Sequence, residues 1–173
     1  MGLYFAYGSN LSLEAMAQRC PRAIPLCPFT LDDSRLVFRG VADCIFEPGS
    51  KCPGAIWRIT PECEARLDTY EGVKGGLYRK EYIPICDDPD GETQMLVYAM
   101  NSTGIYPPGK GYLQIIADGY RDFGLPMKAL KQAVRESWDR KAPTHAERHR
   151  HFRKGCPELA VGVPKLIRAR VRH

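Results

Sequence analysis

Two short stretches of this chain hold residues whose types and spacing could carry out proton transfer. The first, Tyr4-Phe5-Ala6-Tyr7-Gly8-Ser9-Asn10-Leu11, is an apolar and aromatic run of strand length that opens into a small polar loop. Gly8 lets the backbone approach a ligand closely, Ser9 and Asn10 add donors, and the amides of a strand-to-helix turn can hold an anion. The second, Leu67-Asp68-Thr69-Tyr70-Glu71-Gly72-Val73, puts a carboxylate directly before a helix-stopping glycine. A helix C-terminus carries roughly half a negative charge, so a cation would be the stabilising choice there. If Glu71 is also partly desolvated, both effects raise its pKa above the usual value of about 4.3, toward what a general base working near neutrality needs. Taken singly, the first stretch also reads as an ordinary βα turn and the second as an exposed glutamate.

Other chemistries lack their residues. A Ser-His-Asp or Cys-His arrangement needs a histidine near the nucleophile, but all four histidines (His145, His149, His151 and His173) lie in the last 35 residues, and no G-x-S-x-G elbow is present. Pro107-Pro108-Gly109-Lys110-Gly111 has neither the spacing nor the Lys-Ser/Thr ending of a phosphate loop. His145 and His149 share a helical face but are crowded by Arg148, Arg150, Arg153 and Lys154, which reads as a solvated or partner-binding face rather than a metal site. The seven cysteines are an odd number without C-x-x-C spacing, in a chain long enough to fold unaided; free, mostly buried thiols are expected.

The elements that must position the two stretches follow from periodicity and punctuation. Leu3 to Tyr7 reads as a strand and Leu13 to Arg19 as a short helix, with Ser12 as its N-cap and Pro21 beyond its end. Phe29 to Phe38, Ala42 to Phe46 and Pro53 to Ile59 read as strands, the last two separated by the turn-prone Glu47-Pro48-Gly49-Ser50. Thr60 suits an N-cap, Pro61 the first helical position, Glu62 and Glu64 the positive helix start and Gly72 the C′ stop, which places Glu71 at the last residue of that helix. Tyr78 to Cys86 and Gln94 to Met100 form a predicted hairpin around Asp87-Asp88-Pro89-Asp90-Gly91. Helical spacing returns from Tyr112 to Phe123 and from Pro126 to Trp138, where Leu130, Val134 and Trp138 recur every fourth residue. Many strands followed by helices argue for an α+β fold: a mixed, mostly antiparallel curved barrel or sheet with flanking helices.

The length of 173 residues fits one domain. The formal charge of +5 is concentrated at the end: residues 139–173 hold ten Lys or Arg against Asp139, Glu147 and Glu158, a balance of +7 that leaves −2 for the rest. We therefore read residues 1–138 as the domain and residues 139–173 as a basic extension packed in part on it. A solvated basic face is a commoner cause of such a tail than a nucleic-acid footprint. No run approaches the roughly 18 apolar residues of a membrane-spanning helix, and the start lacks a basic signal-peptide head, so a cytoplasmic protein with no membrane partner is expected.

At these residues the sequence resembles the γ-glutamylcyclotransferase family. Y-F-A-Y-G-S-N-L from Tyr4, L-D-x-x-E-G-V from Leu67, G-L-Y ending at Tyr78, and Y-x-x-I-I to G-L-P from Tyr112 to Pro126 follow the family pattern in order, over most of residues 3 to 135. The basic tail and the Pro/Gly-rich residues 104–111 depart from it. The resemblance implies a compact mixed barrel with flanking helices, no cofactor and no metal, and a small γ-glutamyl substrate cyclised to 5-oxoproline; it leaves a homodimer open. Carried over by residue, it implies that Tyr4, Phe5, Ala6, Tyr7, Gly8 and Ser9 line the substrate site, that Glu71 is the proton acceptor and that Tyr112 contacts the substrate. Tyr78 and Asn10 are then wall and support residues. Alternatives are a γ-glutamylamine cyclotransferase or biosynthetic relative sharing Glu71, a non-catalytic binding protein on this scaffold, and nucleic-acid binding through the tail.

Overall fold

A computed structural model describes residues 1–85 and 94–139. The predicted hairpin tip at 87–91, Cys86, Cys156, all four histidines and nearly all of the basic extension lie outside the described residues. In chain order the elements are β1 (Gly2–Ala6), α1 (Leu13–Arg19), β2 (Ile24–Phe38), β3 (Ala42–Ile59), α2 (Pro61–Tyr70), β4 (Tyr78–Pro84), β5 (Gln94–Met100), α3 (Lys110–Asp122) and α4 (Met127–Asp139). Single 3₁₀ turns follow β1 at Ser9–Leu11 and α2 at Val73–Gly75.

The five strands form one mixed sheet in the order β2-β3-β1-β5-β4. β1 pairs antiparallel with β3 and parallel with β5, and the two outer pairs are antiparallel. The fold is α+β, as expected, but among the described residues the sheet does not close into a barrel: β2 and β4 are its edges.

One strand assignment is corrected. Ala42 to Ile59 is a single strand, and Glu47-Pro48-Gly49-Ser50 does not turn the chain. The register passes from Asp32↔Lys51 to Ser34↔Phe46, so these four residues bulge out opposite Asp33 alone. Asp33 (φ 51°) and Gly49 (φ 78°) both take left-handed backbone, and the Gly49 amide donates to Asp33 Oδ1 at 2.8 Å. Such a bulge bends the ladder without ending it.

The core lies where the helices cover the sheet. Phe5, Phe38, Ile59, Leu67, Met95 and Ile116 are fully buried, together with Tyr98 and Tyr120. On α4 the buried face is Leu130, Ala133 and Ser137; Trp138 is 67% exposed, so the stripe of every fourth residue does not hold to its end. Gly119 sets the seat of α3: a Cβ there would stand 2.4 Å from Leu11 Cβ and 2.5 Å from the Ser12 amide, so the helix rests directly on the turn after β1. The five cysteines among the described residues are free thiols. Among the described residues no helix is long and apolar enough to cross a membrane.

Candidate active site

The two chemical stretches meet because a strand and a helix have matched lengths. β3 ends at Ile59, opposite Gly2 at the start of β1. Thr60 caps α2 there, its hydroxyl accepting from the Cys63 amide at 3.2 Å. Ten helical residues rise about 15 Å, close to the roughly 16 Å that the five residues of β1 cover. The end of α2 therefore arrives beside the loop that follows β1. Gly72 (φ 64°) stops the helix and Glu71 is its C-cap, one residue past the last helical position. The rotation of α2 is fixed from its other face, where Asp68 accepts from Tyr98 (2.7 Å) and Lys80 (2.9 Å), and Lys80 also reaches Glu64 (2.7 Å).

At the meeting point a cavity of about 230 Å³ opens. Of the residues singled out by sequence, Tyr4, Tyr7, Gly8, Ser9, Asn10, Glu71, Tyr78 and Tyr112 border it. Phe5 and Ala6 do not, which corrects the expectation that every residue from Tyr4 to Ser9 lines the site. Phe5 turns away, its ring edge-on to Phe29 at 5.8 Å, and Ala6 lies beneath Gly54, whose missing side chain leaves room for both. Four parts of the wall were not singled out in the sequence: Tyr98 from β5, Tyr70 from α2, Leu77 just before β4, and the Val41-Ala42 entry to β3. Ala42 organises two tyrosines, since its amide donates to the Tyr112 hydroxyl at 3.1 Å and its carbonyl accepts from Tyr78. Tyr7 donates to the Tyr98 carbonyl. Gly8 sits against this wall, where an added Cβ would be 3.1 Å from Ala42 Cβ.

Glu71 is the acid of this chamber. Its Oε1 accepts from Asn10 Nδ2 at 2.8 Å, and the same amide nitrogen donates to the Tyr4 hydroxyl at 2.9 Å. Burial raises the Glu71 pKa to about 7, against the opposing pull of the Asn10 hydrogen bond and the Arg19 charge. Burial likewise pushes Tyr4 and Tyr78 well above the usual phenol range and Tyr112 up to about 12, so all three are neutral hydroxyls near neutrality. Behind Asn10 lies Arg19, the last residue of α1: its Nη1 donates to Asn10 Oδ1 at 2.6 Å and to Ser9 Oγ at 3.2 Å, and its guanidinium stacks 3.8 Å from the Tyr70 ring centre. A cation closing a helix reads in sequence as an ordinary dipole complement, so nothing local pointed to this role. Among the described residues no group of three His, Cys, Asp or Glu side chains is placed to hold a metal ion.

A single titrating carboxylate among neutral hydroxyls, buried beside a backbone loop, is the equipment of an enzyme that moves protons. Comparison with known proteins places it more closely. Residues 51–132 match the model of the AIG2-like family. Gamma-glutamylcyclotransferase of Mus musculus is 33% identical over 138 residues, covering 73% of each chain, and that of Homo sapiens is 32% identical over the same span. A solved structure named gamma-glutamyl cyclotransferase superposes with a TM-score of 0.65 at 27% identity, covering 89% of this chain and 99% of the other. The chain belongs to the γ-glutamylcyclotransferase family.

Proposed function

We propose that this protein cyclises a γ-glutamyl amino acid or peptide, releasing 5-oxoproline and the free amine, with Glu71 carrying the protons. The observation that carries the reading is the carboxyl of Glu71, raised to about 7 by burial in a tyrosine-walled cavity beside Gly8–Asn10.

The substrate supplies its own nucleophile. Its α-amine lies within five-membered-ring distance of its γ-carbonyl, so a site that holds the folded conformer needs no enzyme serine or cysteine. Ionised Glu71 takes a proton from the α-ammonium, and the freed amine attacks the γ-carbonyl carbon to form the ring C–N bond. Collapse of the tetrahedral adduct breaks the original amide C–N bond. Two protons leave the ring nitrogen in all and two reach the departing nitrogen, and Glu71, protonated in between, returns to its starting state. A base with a pKa near the working pH suits both directions of transfer. The amides of the Gly8–Asn10 turn are the donors we assign to the substrate α-carboxylate or to the developing oxyanion. The tyrosine hydroxyls, neutral at this pH, offer hydrogen bonds without adding charge beside Glu71.

The test is release of 5-oxoproline from a panel of γ-glutamyl dipeptides, glutathione and γ-glutamyl-ε-lysine. Release from a dipeptide, abolished by Glu71→Gln, is the expected outcome. Release from γ-glutamyl-ε-lysine alone would move the assignment to an amine-directed relative, and no release from any member would refute it.

A further inference from the structure

We propose that Arg19 is a positioning residue for the acid/base step: it fixes the side-chain amide of Asn10 and thereby aims that amide at Glu71. The proposal rests on the role assigned to Glu71 above and concerns what holds the glutamate's partner in place.

A carboxamide is asymmetric, with an acceptor at one end and donors at the other. Asn10 is 2% exposed, so its carbonyl oxygen and its NH₂ must both find partners within the protein. An asparagine can in principle be turned over end for end, exchanging acceptor for donors. Here three neighbours permit one orientation. Arg19 offers only donors, and its Nη1 stands 2.6 Å from Oδ1. Glu71, when ionised, offers only acceptors, and its Oε1 stands 2.8 Å from Nδ2. Turning the amide over would set NH₂ against guanidinium and a carbonyl oxygen against a carboxylate. With the carbonyl pinned by Arg19, the two hydrogens of Nδ2 go to Glu71 and to the Tyr4 hydroxyl. Tyr4, having accepted, keeps its own O–H to donate into the cavity it borders.

A merely structural account of Arg19 is that it complements the negative end of α1. The contacts go further than that. Its hydrogen bonds to Ser9 and Asn10 and its stacking on Tyr70 all engage residues that line the cavity. The planar guanidinium is suited to this arrangement: its Nη1 alone serves both Ser9 and Asn10, and its carbon lies 3.8 Å over the Tyr70 ring, which holds that nitrogen in place; a lysine ammonium can reproduce the charge but not this stacked, rigid placement. The groups facing Glu71 from the surrounding elements are Arg19 from α1, Tyr4 from β1, Tyr7 just past it, Tyr78 from β4 and Tyr112 from α3, and of these only Arg19 is charged near neutrality. Arg19 therefore has two separable effects on Glu71, one through the amide and one through its charge.

Full-length variants separate them. Arg19→Met removes the stacked guanidinium and its charge, Arg19→Lys keeps the charge, and Arg19→Met is also placed in an Asn10→Ala background. The readouts are kcat and KM for 5-oxoproline release from γ-glutamyl-alanine, the ¹³C NMR titration of the Glu71 carboxyl, the shifts of the Asn10 side-chain amide, and thermal unfolding to verify the fold. We expect Arg19→Met to lower kcat on the order of ten- to a hundredfold, to move the Glu71 midpoint upward from about 7 and to shift the Asn10 amide resonances. Lysine should restore the midpoint while kcat stays low. With Asn10 absent, the further loss of kcat on Arg19→Met should fall to roughly threefold or less. Wild-type kcat in Arg19→Met, full recovery of kcat by lysine, or an undiminished loss in the Asn10→Ala background would each overturn the proposal. A wild type that leaves every member of the γ-glutamyl panel intact refutes the assigned reaction instead; the NMR arm then decides for Arg19, and unchanged Asn10 amide shifts in Arg19→Met would be the negative result. If Arg19→Met does not fold, the Arg19→Lys amide shifts and kcat decide in the same way.

Discussion

Replacing Glu71 by glutamine should abolish turnover and, at alkaline pH, stabilise the protein. The sign follows from the direction in which the carboxyl is shifted. Glu71 titrates at about 7 in the folded protein against 4.5 in an unfolded chain. A raised carboxyl pKa stabilises the fold fully below the unfolded value, and that contribution is lost as pH climbs from 4.5 through 7, because the unfolded chain ionises first. The gap, at about 1.4 kcal/mol per pH unit, comes to about 3 kcal/mol. Glutamine can keep the hydrogen bond from Asn10 Nδ2 through its own carbonyl oxygen, and it carries no charge to bury. Glu71→Gln and wild type should therefore have equal stability near pH 4 and diverge above it, with the variant about 3 kcal/mol more stable by pH 8.5, or roughly 6–12 °C in Tm for a chain of this size. Urea denaturation at closely spaced pH values, followed by circular dichroism, measures the divergence. A difference that does not vary with pH, or one that grows toward acid, would show that the carboxyl is not buried in the manner described; retained 5-oxoproline release would show that it is not the proton carrier.

Two further outcomes follow from the same geometry. The acid limb of kcat/KM for a γ-glutamyl dipeptide should have its midpoint near 7, where Glu71 loses its proton, and activity should fall below it; a limb near 4.5, determined by stopped assays across pH, would contradict the burial of Glu71. Gly54→Ala would put a Cβ 2.4 Å from both the Ala6 carbonyl oxygen and the Phe5 ring, and thermal unfolding should show a loss of about 1–3 kcal/mol or more, whereas a Tm within a degree of wild type would mean that β1 and β3 can separate freely.

How much of this was legible in the sequence depended on whether the signal was local. The caps were: Ser12 and Thr60 accept from the amides of Ala15 and Cys63 as expected, and α1 and α2 begin where those residues predict. The early start of β2 at Ile24 was obscured by Pro25 and Pro28, which lack the ladder donor and argue against a strand; they are tolerated because β2 is an edge. The continuity of β3 through Pro48 and Gly49 depends on Asp33, fifteen or more residues earlier in the chain, and no window over 47–50 contains it. At the site, Glu71 and the loop after β1 were visible as motifs. The exclusion of Phe5 is a matter of the period-two alternation of a strand, and the inclusion of Tyr98 and Arg19 is purely tertiary.

Asn10 and Glu71 lie sixty-one positions apart, as do Ser9 and Tyr70, and each pair meets only when β3 has zipped onto β1 and delivered α2 to its far end. No excised fragment shorter than that circuit can contain the chamber. Activity regained during refolding would thus report the docking of α2 against the loop after β1, and comparing it with circular dichroism in one stopped-flow experiment would time that closure against the gain of secondary structure.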